Sequence, residues 1–416
     1  MAFSQAFALI VSEGISRQSL SETYLIAAVP NVAARLYHHP RKVVTTMEHE
    51  RMGKTEPSVG GALLVEPSVN GQSHILVNSG FVDIALNLYG TVTVMARASH
   101  VDALEAYLDA EKLQRITFIR SEKQRLLESY RKEVASHRYD CVIFLNINYN
   151  LFLRLNLLAH KRSNGPLYWV GHSHFLTFED SGPAATIKNK LKKMVMFNRL
   201  FDSTFIVCGQ RIKSNVDALV DAGDKVKGIF HPIGISRLAD SQPEAALEPG
   251  TFSLLHINGW HQASPSKIAA IQSVEAIAAQ RKVIRFKDVK ASIATDKDER
   301  YFSRDYNVRL GMIRDYSYFL HLPENAYKLQ ASGALMDLLL IGTPVIGLRS
   351  DFGTELAGII GDFGYFFDSY AEIVAFLEQA DAAQVMADRT RFSQNLLTGY
   401  QTVKDLSLAQ ARQVLQ

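Results

Sequence analysis

Two histidines stand two positions apart in Val170-Gly171-His172-Ser173-His174, directly after an apolar run that reads as a strand. An imidazole with an ordinary pKa near about 6.5 accepts or donates a proton at neutral pH, so the pair suits general acid–base chemistry. Zinc ligation is the weaker reading, because no Cys or further His lies close in sequence to complete a ligand set. The plain alternative for each is a hydrogen-bonded structural histidine. A second group of residues suits an anion. Ser332-Gly333-Ala334 opens an apolar helix pattern, and exposed N–H groups at a helix start hold phosphates well. One cation stands near it in sequence, Lys328, just before the small residues, and it could equally be a solvated surface cation.

These groups need elements to hold them at one rim. The stretch 316–355 contains an apolar run at 318–322, a helix pattern at 332–341 and a second apolar run at 344–348. Gly342-Thr343-Pro344 marks the helix stop. This is a β-α-β unit with a small, polar helix start at a strand's carboxyl end, where a doubly wound sheet takes its ligands. Further strands are expected at 252–257, 283–286 and 364–367, and helices at 265–280, 354–360, 371–379 and twice near the C-terminus. The segment 287–314 is charged and Tyr-rich, and its structure stays open. Ser264 and Pro265 have the residue types of an N-cap and first helical position.

An earlier alternation precedes it. Strands are expected at 74–78, 91–96, 116–120, 141–147, 167–170, 204–208 and 226–230, with helices at 81–88, 101–110, 121–136, 150–161 and 184–201. Strands alternating with helices imply a parallel sheet covered on both faces, an α/β fold. Gly80, in Asn78-Ser79-Gly80, then falls at a strand-to-helix turn, where a glycine lets backbone approach a ligand. Residues 231–250 are rich in Pro, Gly and polar types and mark a domain boundary. The expected organisation is an N-terminal, mainly helical extension at 1–72, a first Rossmann-like domain at 73–236, a linker at 237–250, a second such domain at 251–400 and a terminal helix at 401–416.

The 416 residues are 47 % apolar, mean hydropathy is near zero and the formal net charge is +3. That describes a globular chain of two to three domains, with too little charge to argue for nucleic acid. Cys141 and Cys208 lie inside apolar runs and read as inert core thiols, which fits a reducing, cytoplasmic setting. The opening residues lack the basic start of a signal peptide, and no apolar run reaches a spanning length.

The helix at 332–341, the Gly-Thr-Pro-Val turn and the later Gly353-Thr354-Glu355 resemble the donor half of GT-B nucleotide-sugar glycosyltransferases, over about residues 73–400. Pro232-Ile233-Gly234-Ile235 is similar to the family's ending before its interdomain linker. The resemblance implies two Rossmann-like domains facing across a cleft and a nucleotide diphosphate sugar as donor substrate, with no metal or other cofactor required. It implies that the donor pyrophosphate rests on Ser332, Gly333 and Ala334, that Asp337 holds the ribose, and that Glu355 also faces the donor. Gly259, Lys267 and Lys328 would serve the diphosphate, His172 and then His174 would face the donor sugar as catalytic groups, and the Gly80 loop would face the acceptor. Leu329 stands where retaining members carry a glutamate, so the stereochemical outcome is open.

The expected activity is sugar transfer to an acceptor hydroxyl on a glycan or lipid-linked acceptor, in bacterial surface polysaccharide or glycolipid synthesis. A sugar-nucleotide 2-epimerase and a non-catalytic, degenerate transferase serving as a binding or scaffold subunit are the alternatives. Residues 187–201 put Lys188, Lys190, Lys192, Lys193 and Arg199 on one helix pattern with Met194, Phe197 and other apolar residues. Such a helix suits an anionic membrane surface, hence peripheral attachment to the inner face. The competing account buries its apolar stripe against the sheet.

Overall fold

The structure is a computed structural model. It describes residues 61–157, 165–172, 174–179, 203–220, 222–236, 250–257, 264–289, 306–323 and 328–416, with isolated positions from 182 to 197. The chain divides into units Met1–Glu56 and Pro57–Gln416, and every described residue belongs to the second. The helical expectations for 1–60, and most of the basic segment 187–201, therefore fall outside the described residues.

The first half contains β1 (Ala62–Val65), α1 (Ile75–Tyr89), β2 (Val92–Ala96), α2 (Ala98–Tyr107), α3 (Ala110–Leu113), β3 (Ile116–Arg120), α4 (Leu126–Ser136), β4 (Cys141–Phe144), α5 (Tyr149–Leu157), β5 (Leu167–Val170), β6 (Ser203–Val207), α6 (Gln210–Val220) and β7 (Val226–Gly228). The strands form one parallel sheet in the order β3-β2-β1-β4-β5-β6-β7. Strand order reverses between β1 and β4, so their carboxyl ends flank the topological switch point where such sheets bind ligands.

Two sequence expectations change here. Residues 74–78 are not a strand; Ile75 to Asn78 open α1. Every residue from Ile75 to Leu86 is buried, and a helix buried on all sides loses the 3.6-residue pattern that separates it from a buried strand. The central strand of the sheet is β1, Ala62–Val65, which the sequence offers as a possible strand after Gly60-Gly61 but places in the extension at 1–72.

The second half contains β8 (Phe252–Ile257), α7 (Pro265–Gln280), β9 (Ile284–Val289), α8 (Tyr306–Arg314), β10 (Tyr318–His321), α9 (Gly333–Ile341), β11 (Val345–Leu348), α10 (Asp351–Ile360), β12 (Gly364–Phe367), α11 (Tyr370–Gln379) and α12 (Ala382–Leu415). Its strands are parallel in the order β12-β11-β10-β8-β9. The molecule is thus two parallel sheets flanked by helices, two Rossmann-like halves. The two C-terminal helices expected from sequence are one helix of 34 residues.

Helix α12 ties the halves together. It packs on α9 and α10, then reaches α1 of the first half. There Lys404 pairs with Asp83 at 3.3 Å, Tyr89 donates its hydroxyl to the Leu415 carbonyl at 2.7 Å, and Tyr168 donates to Val414 at 3.0 Å. Tyr400 donates to the carbonyl of Ile235 at 2.8 Å, fixing the start of the linker.

The same linker start explains Gly80, which lies inside α1 rather than at a turn. A Cβ on Gly80 would meet the Pro232 carbonyl carbon at 2.5 Å, and one on Gly234 would meet Ser79 backbone at 2.0 Å. Two main chains are in direct contact, and neither neighbour is a flexible side chain. Gly80→Ala should therefore cost about 1–3 kcal/mol of stability through overpacking, read from denaturant unfolding. A parental midpoint would show that α1 can move away from Pro232.

Candidate active site

The carboxyl rim of the first sheet gathers four histidines from three places in the chain. His74 precedes α1, His172 and His174 follow β5, and His231 follows β7. The His74 and His172 ring centroids are 4.5 Å apart, tilted at 52°. His74 has φ 56°, and among the described residues no other non-glycine has positive φ. This left-handed turn aims the chain into α1 and presents the ring at the rim.

Carbonyls after β4 orient the pair after β5. His172 Nε2 lies 3.0 Å from the Leu145 carbonyl, so Nε2 carries the proton and Nδ1 keeps its lone pair. His174 interacts with the Ile147 carbonyl, and its buried Nδ1 has no hydrogen-bond partner. The carbonyl of His174 in turn accepts the Tyr149 hydroxyl at 3.1 Å.

All four rings are neutral at pH 7. Burial, then the neighbouring His74, His231 and His174, hold His172 well below the ordinary imidazole pKa. Burial, His74 and Lys192 lower His174 to about 4, and burial lowers His231 to about 4. Burial and His100 push His74 down toward about 4 as well, but the residue is exposed, and water screens that shift. The cluster can accept a proton from a bound hydroxyl and holds none to give. Among the described residues no group of three or more His, Cys, Asp or Glu side chains could hold a metal ion.

On the second half, Ser332 caps α9 and its Oγ accepts the Leu335 N–H at 3.3 Å. The Met336 N–H goes to the Ser332 carbonyl at 3.2 Å, so the cap accounts for the third and fourth amides of the helix. Gly333 lies next to open space. Lys267 is buried in the first turn of α7, which Ser264 caps as expected. It lies by the end of β10, where burial, Lys267 and His256 lower the pKa of His321 to about 3. Lys328 is exposed, and its carbonyl accepts Asn215 Nδ2 at 2.8 Å. Gly259 lies outside the described residues.

Two acids have other work. Asp337 is 3 % exposed; Oδ1 accepts the Tyr306 hydroxyl and Oδ2 the Arg309 guanidinium, each at 2.6 Å. Its carboxylate joins α9 to α8 through both oxygens. Glu355 caps α6 of the first half: Oε1 and Oε2 accept the N–H groups of Gln210 and Arg211 at 2.7 and 2.9 Å. Gly209, at φ 144°, leaves room for it, since a Cβ there would stand 3.0 Å from Glu355 Oε2. Asp351 joins this contact through Asn215 Nδ2 at 2.8 Å.

No protein-family model matches the chain, and no curated protein matches it in sequence. Solved structures do. A glycosyltransferase from Rickettsia africae ESF-5 is 11 % identical, with 87 % of this chain and 98 % of that chain covered and a TM-score of 0.50. Arabidopsis thaliana UGT89C1 complexed with UDP-L-rhamnose (11 % identity, 84 % and 99 % covered) scores 0.47. Sucrose-phosphate synthase from Thermosynechococcus elongatus (12 %, 85 % and 98 %) scores 0.46. The likeness is one of fold.

With that two-domain arrangement in hand, two residues of the site stand out that sequence reasoning missed. His74 was hidden because 74–78 reads as a strand; Ser73-His74 ahead of an apolar run was the signal of a helix start. His231 opens the Pro- and Gly-rich stretch that marks the domain boundary, where Pro232-Ile233-Gly234 was the cue that the chain still packs on the first half. Of the basic segment, Lys190 is exposed, while Lys193 donates to the Leu219 carbonyl at 2.7 Å and Lys192 to Thr177 Oγ1 at 3.3 Å. Among the described residues no helix is long and apolar enough to cross a membrane.

Proposed function

We propose that this chain is a glycosyltransferase that moves a sugar from a nucleotide diphosphate sugar to an acceptor hydroxyl. The observation that carries the reading is the neutral His74–His172 pair, 4.5 Å apart at the rim of the first sheet. A proton acceptor is what an attacking hydroxyl needs. In the proposed step an imidazole nitrogen, His172 Nδ1 first, takes the acceptor's proton. The acceptor oxygen bonds the anomeric carbon, and the bond from that carbon to the phosphate oxygen breaks, its electron pair leaving with the nucleoside diphosphate. His174 and His231 complete the site. The α9 start at Ser332, Gly333 and Ala334, with Lys267 and Lys328, would hold the diphosphate, helix amides and cations offsetting its charge. The acceptor hydroxyl belongs, in this reading, to a glycan or lipid-linked precursor handled at the inner membrane face. Asp337, Glu355 and Gly80 are left to the scaffold.

A second reading is a nucleotide-binding or scaffold subunit without turnover. It is favoured by Asp337 and Glu355, both engaged by protein groups. Thermal shift with a panel of nucleoside diphosphates tests the donor site, because a ligand at about 100 times its dissociation constant adds about 2.7 kcal/mol. The diphosphate that binds then names the donor series for product mass analysis. A glycosylated acceptor supports the transferase, an isomerised sugar nucleotide an epimerase, and binding without product the scaffold. No shift with any diphosphate removes the donor assignment.

A further inference from the structure

Beneath the histidine cluster runs a chain of polar groups with no access to solvent. Glu66, Asn78 and His100 are each 0 % exposed. They come from three places: the first residue after β1, the first turn of α1 and the first turn of α2. Burial raises the pKa of Glu66, and hydrogen bonds together with the charge of Arg97 oppose that rise. Here Glu66 Oε1 accepts the N–H groups of Ser68 and Val69 at 2.8 and 3.0 Å, and Oε2 accepts Asn78 Nδ2 at 3.1 Å. Asn78 Nδ2 also lies 3.0 Å from His100 Nε2, and His100 Nδ1 lies 2.7 Å from the Gly71 carbonyl.

The proton positions in this chain follow from its ends. A carbonyl can only accept, so His100 Nδ1 carries the proton and Nε2 holds the lone pair. Asn78 must then give one N–H to Glu66 and the other to His100. Turning the amide over would set its oxygen against a carboxylate. The cost of this arrangement is visible: Asn78 Oδ1 is buried without a partner. A core that needed only packing would be served better by apolar side chains.

What the chain holds is the loop 66–74, which ends in His74. Its backbone is gripped at Ser68, Val69 and Gly71 from below. Above, Ser99 Oγ accepts the Gly71 N–H at 3.2 Å and donates to Asn70 Oδ1 at 2.5 Å. The side chain of Gln72 accepts the Tyr306 N–H of the second half. The loop then delivers His74 in its left-handed conformation against His172.

We infer that Glu66, Asn78 and His100 are positioning residues, a buried hydrogen-bond chain that fixes His74 against His172. The inference rests on the reading of that pair as the proton-accepting site, but its test needs no substrate. Uniformly deuterated protein with protonated, 13C-labelled histidine gives a ring-to-ring NOE between His74 and His172. In the parent the cross-peak is present, the ring centroids being 4.5 Å apart.

His100→Leu should abolish the cross-peak. His100→Gln, whose amide can accept from Asn78 and donate to Gly71, should restore it. Should His100→Leu fail to fold, Ser99→Ala removes a surface tether of the same loop and should weaken the cross-peak in a folded protein. A folded His100→Leu that keeps the parental cross-peak overturns the inference. So does a cross-peak lost equally in His100→Leu and His100→Gln. If His100→Leu does not fold, an unchanged Ser99→Ala overturns it. None of these outcomes depends on nucleotide binding, so a failed donor reading stays distinguishable from a failed positioning chain.

Discussion

His172→Ala should lower turnover by roughly a hundredfold or more with the donor found by thermal shift, since general base catalysis is worth about 10²–10⁴. The acceptor is deprotonated in the transition state, so the loss belongs in kcat, with nucleotide affinity nearly parental because the proposed diphosphate contacts lie on the other half. The pH profile adds a second readout. His172 is held well below its ordinary pKa by burial, then by His74, His231 and His174. It therefore stays unprotonated at pH values where a free imidazole would already be charged. The acid limb of kcat/KM, which reports the free enzyme, should accordingly lie below about 6.5. Parental turnover in His172→Ala would pass the role to His74, and an acid limb at the free imidazole value would contradict the burial of the ring.

Asp337→Ala should destabilise the protein by about 3 kcal/mol, measured by reversible chemical denaturation. The magnitude follows from removing one partner of a buried ion pair, typically about 3–5 kcal/mol, and from stranding the Tyr306 hydroxyl. The low end applies because the Arg309 side chain is 34 % exposed and regains water. Asp337→Asn, which still accepts from Tyr306, should lose less. An Asp337→Ala protein of parental stability with weakened nucleotide affinity would instead return this carboxylate to the ribose.

Much of the second half was legible because its strands and helices each carry a distinct period. Ser264 and Ser332 cap the helices that sequence places after them, and Gly342 ends α9 in a left-handed turn at φ 68°. The first half was legible from β2 onward. Its centre was legible only in part: Ala62–Val65 reads as a possible strand, but four residues do not mark it as the middle of a sheet, and Ile75 to Leu86, buried on every side, loses the helix period. For the site, sequence placed His172 and His174 at the end of a strand, which β5 supplies. It could not foresee His74 and His231, 98 residues before and 59 after His172, because only the sheet order brings those segments to one rim. Nor could it see what Asp337 and Glu355 hold: their partners, Tyr306, Arg309, Gln210 and Arg211, lie 28 to 145 residues away. Local pattern identifies a carboxylate near a helix start; only the fold says whether it is already bonded.

The long helix α12 bears on the order in which the molecule can be made. Tyr89 and Tyr168 belong to the first half, yet their hydroxyls bond the carbonyls of Leu415 and Val414. A ribosome delivers residues 62–236 long before residues 400–415. During that interval the first sheet has its strands but lacks the helix that covers α1, and Asp83 has not met Lys404. Domains usually fold as units in order of synthesis. Here the earlier half waits, with apolar surface open, for a segment encoded more than 150 residues downstream of its last strand. A chain stalled before residue 400 would lack the Lys404–Asp83 pair and both tyrosine–carbonyl bonds that join the first half to α12.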